Sequence, residues 1–347
     1  MRFIMDMSCF VGITCFSGSS VGLCEYECKK SSKTLKFSRK RASFRVVPRF
    51  LMVKSDDTLY EDDPYGGWKG TRKSSQTEAW KSKGNFLEID SNSSIFTIST
   101  QPTKVQSSNS NVLLIPGFPS TSFSFRNILN SNSLTKSTPI LSQKHFFSSF
   151  DWLGTGLSSL SQHKIARTTQ LEHVILNSTS YSKSQSTVTL VAQGFLACES
   201  ALEVILNTEF NASIKRLILL SPPINNHSSS SKANDKLPSH LQKLLNPLLG
   251  PILLSNPAYL VDKLYASSGP YEIKETDLEV IREPYLSDGN AGFTARDLVR
   301  ECYGSNTRLN SLLDAFITLK SSNSQETPEI SIVFGAQDKW IPIPSTV

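Results

Sequence analysis

Ser186–Leu206 reads "STVTLVAQGFLACESALEVIL", and its reading decides the fold. Ser186–Gln193 is a short β-branched, apolar run of the kind that forms a buried strand. Gly194 interrupts it. Phe195–Leu206 then places apolar side chains at helical spacing, with no further break until Asn207. Strand, one-residue break, helix is a sharp turn that lifts one residue clear of a sheet edge. Ala192, Gln193, Gly194, Phe195 and Leu196 are the five residues of that turn.

Outward from this stretch the same alternation repeats. Upstream, "NFLEID" (85–90) and "SIFTIST" (94–100) read as a strand pair, and "NVLLIPG" (111–117) as a buried strand ended by Pro-Gly. A short helix is predicted over Phe123–Asn130. "KHFFSSFDW" (144–152) is a further strand running into the glycine-rich "LGTGLSS", and Ala166–Leu176 is a helix candidate. Downstream, "IKRLILLSPP" (214–223) is strand-like, and the rhythm then stops. A Ser- and Asn-rich loop, "NNHSSSSKAND" (225–235), leads into a largely helical stretch before "EISIVFGA" (329–336) returns to a buried strand. Strands alternating with helices predict an α/β fold with a doubly wound, mostly parallel sheet. A helical insertion between two such strands predicts a cap over their carboxyl ends, where such sheets bind ligands.

Charge is unevenly placed along the 347 residues. Residues 1–54 hold 11 Lys and Arg against 3 Asp and Glu, while the remainder holds 25 against 27. A near-neutral body without a basic stripe argues against nucleic-acid binding. The segment "SSKTLKFSRKRASFRVVPRF" (31–50) is rich in Ser, Lys and Arg and has no acid, the composition of an organellar transit peptide. Its serine content favours the plastid, with the mitochondrion as the alternative. A secretory leader, suggested by the apolar "FVGITCF", is the competing reading, and only under it would the sequons at Asn92, Asn177, Asn211 and Asn226 matter. The expected organisation is a leader over 1–54, an acidic linker over 55–84, a sheet core over 85–221, a helical cap over 222–327 and the last part of the core over 328–347. Four of the six cysteines lie in the leader, leaving Cys198 and Cys302 far apart, so no disulfide framework is expected. Cys24 and Cys28 lack a second ligand pair, so neither a metal nor another cofactor is expected. No apolar run approaches the ~20 residues of a membrane span.

Three loops carry a family resemblance. "LLIPGFPSTSFSFRN" (113–127), "FDWLGTGLSS" (150–159) and "VFGAQDKWIP" (333–342) occur in the order and spacing of the α/β-hydrolase fold. In detail the chain resembles the branch of haloalkane dehalogenases and epoxide hydrolases, and within it plastid-targeted hydrolase-like proteins. The resemblance spans roughly residues 85–345, and "GPYEIKETDLEVIREPYLSDGNAGF" (269–293) looks like the lid. It implies that the first loop, with Pro116 in place of the usual His, supplies an oxyanion-hole N–H from Phe118. It implies a mainly architectural role for Asp151, Gly154, Gly156 and Ser158 of the second loop, and places the triad acid at Asp338 of the third. The second oxyanion donor would be the N–H of Phe195.

At the turn itself the chain departs from the family's G-x-S-x-G pattern. The nucleophile's place is taken by Gly194, which has no side chain to attack with. The family's His follows the acid, whereas all five histidines here (His145, His163, His173, His227, His240) precede Asp338. Several residues imitate a site. "GSSVG" (18–22) matches the nucleophile pattern but lies in the leader. Cys198, four residues after Gly194, reads as a buried structural thiol. His173 reads as a packing or solvent residue, and Trp152 and Trp340 as walls of the sheet. The resulting expectation is a plastid hydrolase-fold protein that is catalytically silent and binds a small carbonyl or carboxylate ligand, or a partner. The alternative is an active ester, epoxide or haloalkane hydrolase whose His lies beyond residue 347, in which case Asp338 helps that base. Loss of the family's final strand would leave "EISIVFGA" as an apolar edge. The oligomeric state is not legible.

Overall fold

The computed structural model describes residues 10–17, 20–24, 75–100, 110–130, 145–159, 165–180, 187–207, 214–224, 237, 239–254, 259, 274–286, 291–303, 305–322, 327–335, 338 and 341. Residues 31–50, the loop 225–235, His163, His227 and Trp340 fall outside them, as does the side chain of His240.

A nine-stranded mixed sheet organises the chain. Its strands are β1 (Phe10–Ser17), β2 (Ser20–Cys24), β3 (Gly84–Asp90), β4 (Ser93–Thr100), β5 (Ser110–Ile115), β6 (His145–Phe150), β7 (Val188–Gln193), β8 (Ile214–Leu220) and β9 (Glu329–Gly335). The order is β2-β1-β9-β8-β7-β5-β6-β4-β3. The five central strands β6, β5, β7, β8 and β9 are mutually parallel. Antiparallel hairpins flank them at both edges. The chain runs outward from β5 to β6, then returns to β7 on the other side. The strand order therefore reverses at β5 and β7, the place where such sheets form a crevice.

Helices close both faces. They are α1 (Ser75–Lys81), α2 (Arg126–Leu129, preceded by a 3₁₀ turn over Ser122–Phe125), α3 (Arg167–Ser180), α4 (Ala197–Leu206), α5 (Ser239–Leu245), α6 (Leu249–Leu254), α7 (Glu275–Leu286), α8 (Ala291–Cys302) and α9 (Ser305–Ser322). Alternate strand residues sort onto the two faces, as the pleat requires. Leu113, Leu190, Leu217 and Ile330 pack with Leu171 of α3, Leu202 of α4 and Leu309 and Phe316 of α9. Val112, Leu114 and Val191 face the other way, in one cluster with Leu241 and Leu244 of α5, Val280, Ile281 and Tyr285 of α7, and Leu298 of α8.

Two expectations change here. The helical stretch 222–327 is not all cap, because α9 lies in the layer of α3 and α4. Nor is β9 an open edge: β1 pairs with it antiparallel, from Phe16 opposite Ile330 to Phe10 opposite Gly335. Ser20–Gly22 of "GSSVG", read as leader, thus lie in β2, which pairs with β1, and β1 pairs with β9 from within the chain.

Candidate functional site

At the carboxyl ends of β5, β7 and β9 the Phe118 N–H bonds Phe195, and Ile341, bonded to Asp338, approaches Gly194. The turn after β6 supports this corner. Asp151 is almost fully buried and accepts the Ser122 N–H on Oδ1 (2.7 Å) and the Leu157 N–H on Oδ2 (2.8 Å). Burial pushes its carboxyl above the usual range, against the opposing pull of those N–H donors. Ser158 Oγ donates to the Asp151 carbonyl at 2.5 Å and accepts the Phe96 N–H at 2.9 Å, which ties the turn to β4. Trp152 Nε1 donates to the Pro116 carbonyl at 2.6 Å. Gly156 is at φ +52°, and a Cβ there would lie 2.1 Å from Asp151 Oδ2. The second loop is architectural because its side chains bond the first loop in place.

The elbow is tight. A Cβ on Gly117 would lie 1.8 Å from the Gln193 carbonyl oxygen, so the first loop and the end of β7 approach as closely as glycine allows. Gly194 is at φ +66°, and its N–H donates to the Leu220 carbonyl at 2.9 Å. Helix α4 begins at Ala197 rather than at Phe195. Between them Leu196 is held at φ +64°, ψ −46° in a γ-turn closed by the Ala197 N–H on the Phe195 carbonyl at 2.8 Å. That conformation is rare and strained for a side-chain-bearing residue. It resolves the mismatch read from the sequence, where a leucine stands in the motif's second glycine place.

No chemistry-bearing side chain stands at the nucleophile position. A Cβ on Gly194 would meet Ile341 Cδ1 at 3.7 Å, an ordinary van der Waals contact. Ile341 is buried, and its N–H donates to Asp338 Oδ1 at 3.0 Å. The Asp338 N–H in turn bonds the Gly335 carbonyl at 3.1 Å. The Asp338 carboxylate therefore shapes a turn that brings Ile341 within van der Waals reach of the Gly194 position. The expectation for Phe118 is also changed: its N–H donates to the Phe195 carbonyl at 3.2 Å, so it does not face an open corner. The cause is the close approach permitted by Gly117.

The described histidines lie elsewhere. His145 starts β6, paired with Ser110 at the amino ends of the strands, and His173 is exposed on α3. Cys198 is fully buried, with Sγ donating to the Ala192 carbonyl at 3.4 Å; burial pushes its thiol far up. It is structural. Trp152 is buried and edge-on to Phe150 at 4.7 Å. Among the described residues no group of three or more His, Cys, Asp or Glu is placed to hold a metal. No described helix is long and apolar enough to cross a membrane.

Two charged contacts were not read from the sequence. Glu199, buried on α4, accepts Ser305 Oγ at 2.8 Å and pairs with Arg308 of α9. Asp277 of α7 pairs with Arg126 of α2 at 2.7 Å. Their partners are 109 and 151 residues apart in the chain, so no local pattern announces them.

Comparison with solved structures places this arrangement. The chain is similar to the epoxide hydrolase CorEH (TM-score 0.51, 13% identity, covering 72% of this chain and 90% of that one). It is similar also to a loop variant of the haloalkane dehalogenase DbeA from Bradyrhizobium elkanii (TM-score 0.50, 16% identity, covering 72% and 88%). The chain has the α/β-hydrolase fold. At these identities the likeness concerns the fold alone. No protein-family model and no curated protein matches the sequence. Gly194 lies in the turn after β7, the Phe118 N–H bonds the carbonyl of Phe195 beside it, and Ile341 of the Asp338 turn packs toward it.

Proposed function

We propose that this hydrolase-fold protein is catalytically silent and works as a binding module for a small ligand or a partner. One observation carries the reading: the elbow residue is Gly194, and the space its side chain would enter is bounded by Ile341 Cδ1. A hydrolytic triad needs a nucleophile and a base that takes its proton. Neither is present among the described residues at this corner, and Asp338 is engaged with the backbone of Ile341. What remains is backbone polarity inside an apolar shell of Phe118, Phe195, Leu196 and Ile341. A carbonyl or carboxylate oxygen would bind by taking the Phe118 N–H from Phe195, whose 3.2 Å bond is at the long end for N–H···O.

The composition of residues 31–50 supports delivery to the plastid, with the mitochondrion as the alternative. In a chain cleaved after residue 54, β9 would lose the pairing that β1 gives it, and that edge would become available to another strand.

The test is turnover of short aryl esters, haloalkanes and epoxides by the full chain, beside binding of carboxylate ligands followed by calorimetry. Hydrolysis should stay at background. Turnover near ~1 s⁻¹, the low end for ordinary enzymes, would overturn the reading and favour an active hydrolase.

A further inference from the structure

Away from the elbow, three segments distant in sequence meet at one carboxylate. Asp277 lies in the first turn of α7, where the helix dipole favours negative charge. Its Oδ2 takes Arg126 Nη2 at 2.7 Å, and its Oδ1 takes Gln76 Nε2 at 2.8 Å. Arg126 follows directly on the 3₁₀ turn after the Phe118 loop, and Gln76 belongs to α1, ahead of the first core strand. The Arg126 guanidinium also lies over the Phe123 ring at 4.9 Å, and Phe123 meets Trp80 of α1 edge-on at 5.1 Å. α1 packs along α7. α7 also contributes Val280, Ile281 and Tyr285 to the apolar cluster that contains Trp80, Phe123, Phe118, Phe195, Leu196 and Ile341.

We infer that Asp277 is a clasp that holds cap helix α7 down on the strand-end corner, and that α1 is the strap through which the clasp is released. The carboxylate has two partners of different origin. Arg126 fastens the cap to the loop beside the elbow; Gln76 fastens it to a helix outside the sheet core. Drawing α1 away removes Gln76 from Asp277 and Trp80 from Phe123 together, and leaves the Arg126 ion pair and the apolar contacts of Val280, Ile281 and Tyr285 to hold the cap. That pair is partly solvated, with side-chain exposures of 26% for Arg126 and 13% for Asp277. An ion pair and an amide hydrogen bond to the same carboxylate at such exposure bias an opening equilibrium by roughly tenfold, and do not lock it. A gate needs a bias of that size. The Glu199–Arg308 contact, by comparison, joins α4 to α9 within the core layer.

The test is amide exchange of the full chain, comparing α7 with the core strands β5 and β7, in the wild type and in Asp277→Asn and Gln76→Leu. The expected result is roughly tenfold faster exchange across α7 in Asp277→Asn, with β5 and β7 unchanged. Gln76→Leu should give a smaller acceleration of α7 alone. Unchanged α7 exchange in both variants would overturn the clasp. Equal acceleration of α7, β5 and β7 would overturn it too, since the contacts would then belong to global stability. If Asp277→Asn does not accumulate, the wild type answers: NaCl at about 1 M, where the Debye length is about 3 Å, should speed α7 relative to β7. Salt-insensitive α7 exchange would reject the clasp.

Discussion

Two turns at the carboxyl end of the sheet have had opposite fates. The turn after β6 keeps every polar group of its motif occupied. Asp151 serves two N–H groups, Ser158 links two strands, and Trp152 holds Pro116. The turn after β7 has Gly194 at φ +66° with no polar side chain at that place, and Ile341 packs toward it. The difference separates what a fold requires from what a reaction requires. Removing Asp151 would leave buried N–H groups without acceptors, whereas removing a nucleophile takes nothing from the fold and relieves strain at a left-handed position.

The largest effect should come from breaking the turn that is intact. Asp151→Ala strands the buried Ser122 N–H and the half-buried Leu157 N–H, at about 1–3 kcal/mol for a buried group, so a loss of roughly 3 kcal/mol is expected. Thermal denaturation should show a fall in melting temperature of roughly 5–10 °C. A fall below ~2 °C would mean that water replaces the carboxylate, and the contrast between the turns would dissolve.

Gly194→Ser should do less. The new Cβ has room, at 3.7 Å from Ile341 Cδ1, so no clash is expected. The left-handed backbone at φ +66° should still cost about 1–3 kcal/mol. Ester hydrolysis should remain at background, because no described histidine stands near to accept the proton. Robust turnover by this variant would show that a base lies within reach of the elbow after all.

Cys198 should give the smallest effect. With its thiol fully buried and its pKa pushed far up, it should resist iodoacetamide at pH 8 in the native chain and react only on unfolding, as followed by mass spectrometry. Rapid native alkylation would mean that α4 opens at the elbow, which the tight Gly117–Gln193 approach argues against.

Much of the molecule was legible because the signals are local. Strands from β3 to β9 and helices α3 and α4 follow from periodicity and from Gly and Pro breaks. The three loops were recognisable because each is a short run whose residue types suit one turn. That a glycine, Gly194, stands at the turn after β7 needed no structure at all. The strained γ-turn at Leu196 was half-visible, as a leucine where glycine is usual.

What the sequence alone determined is the order of strands and helices, the loops at their ends, and the presence of glycine at the turn after β7. Tertiary structure decided which distant residues meet. It sets Ile341 over the elbow, turns the Phe118 N–H to the Phe195 carbonyl, moves α9 from the cap to the core layer, pairs β1 with β9, and joins Asp277 to Arg126 and Gln76. The physical reason is the range of the interactions. Periodicity and turn chemistry act within about ten residues and are written in the chain. A hydrogen bond or packing contact between residues 151 or 201 positions apart leaves no local trace. It exists only once the sheet has brought the two ends together.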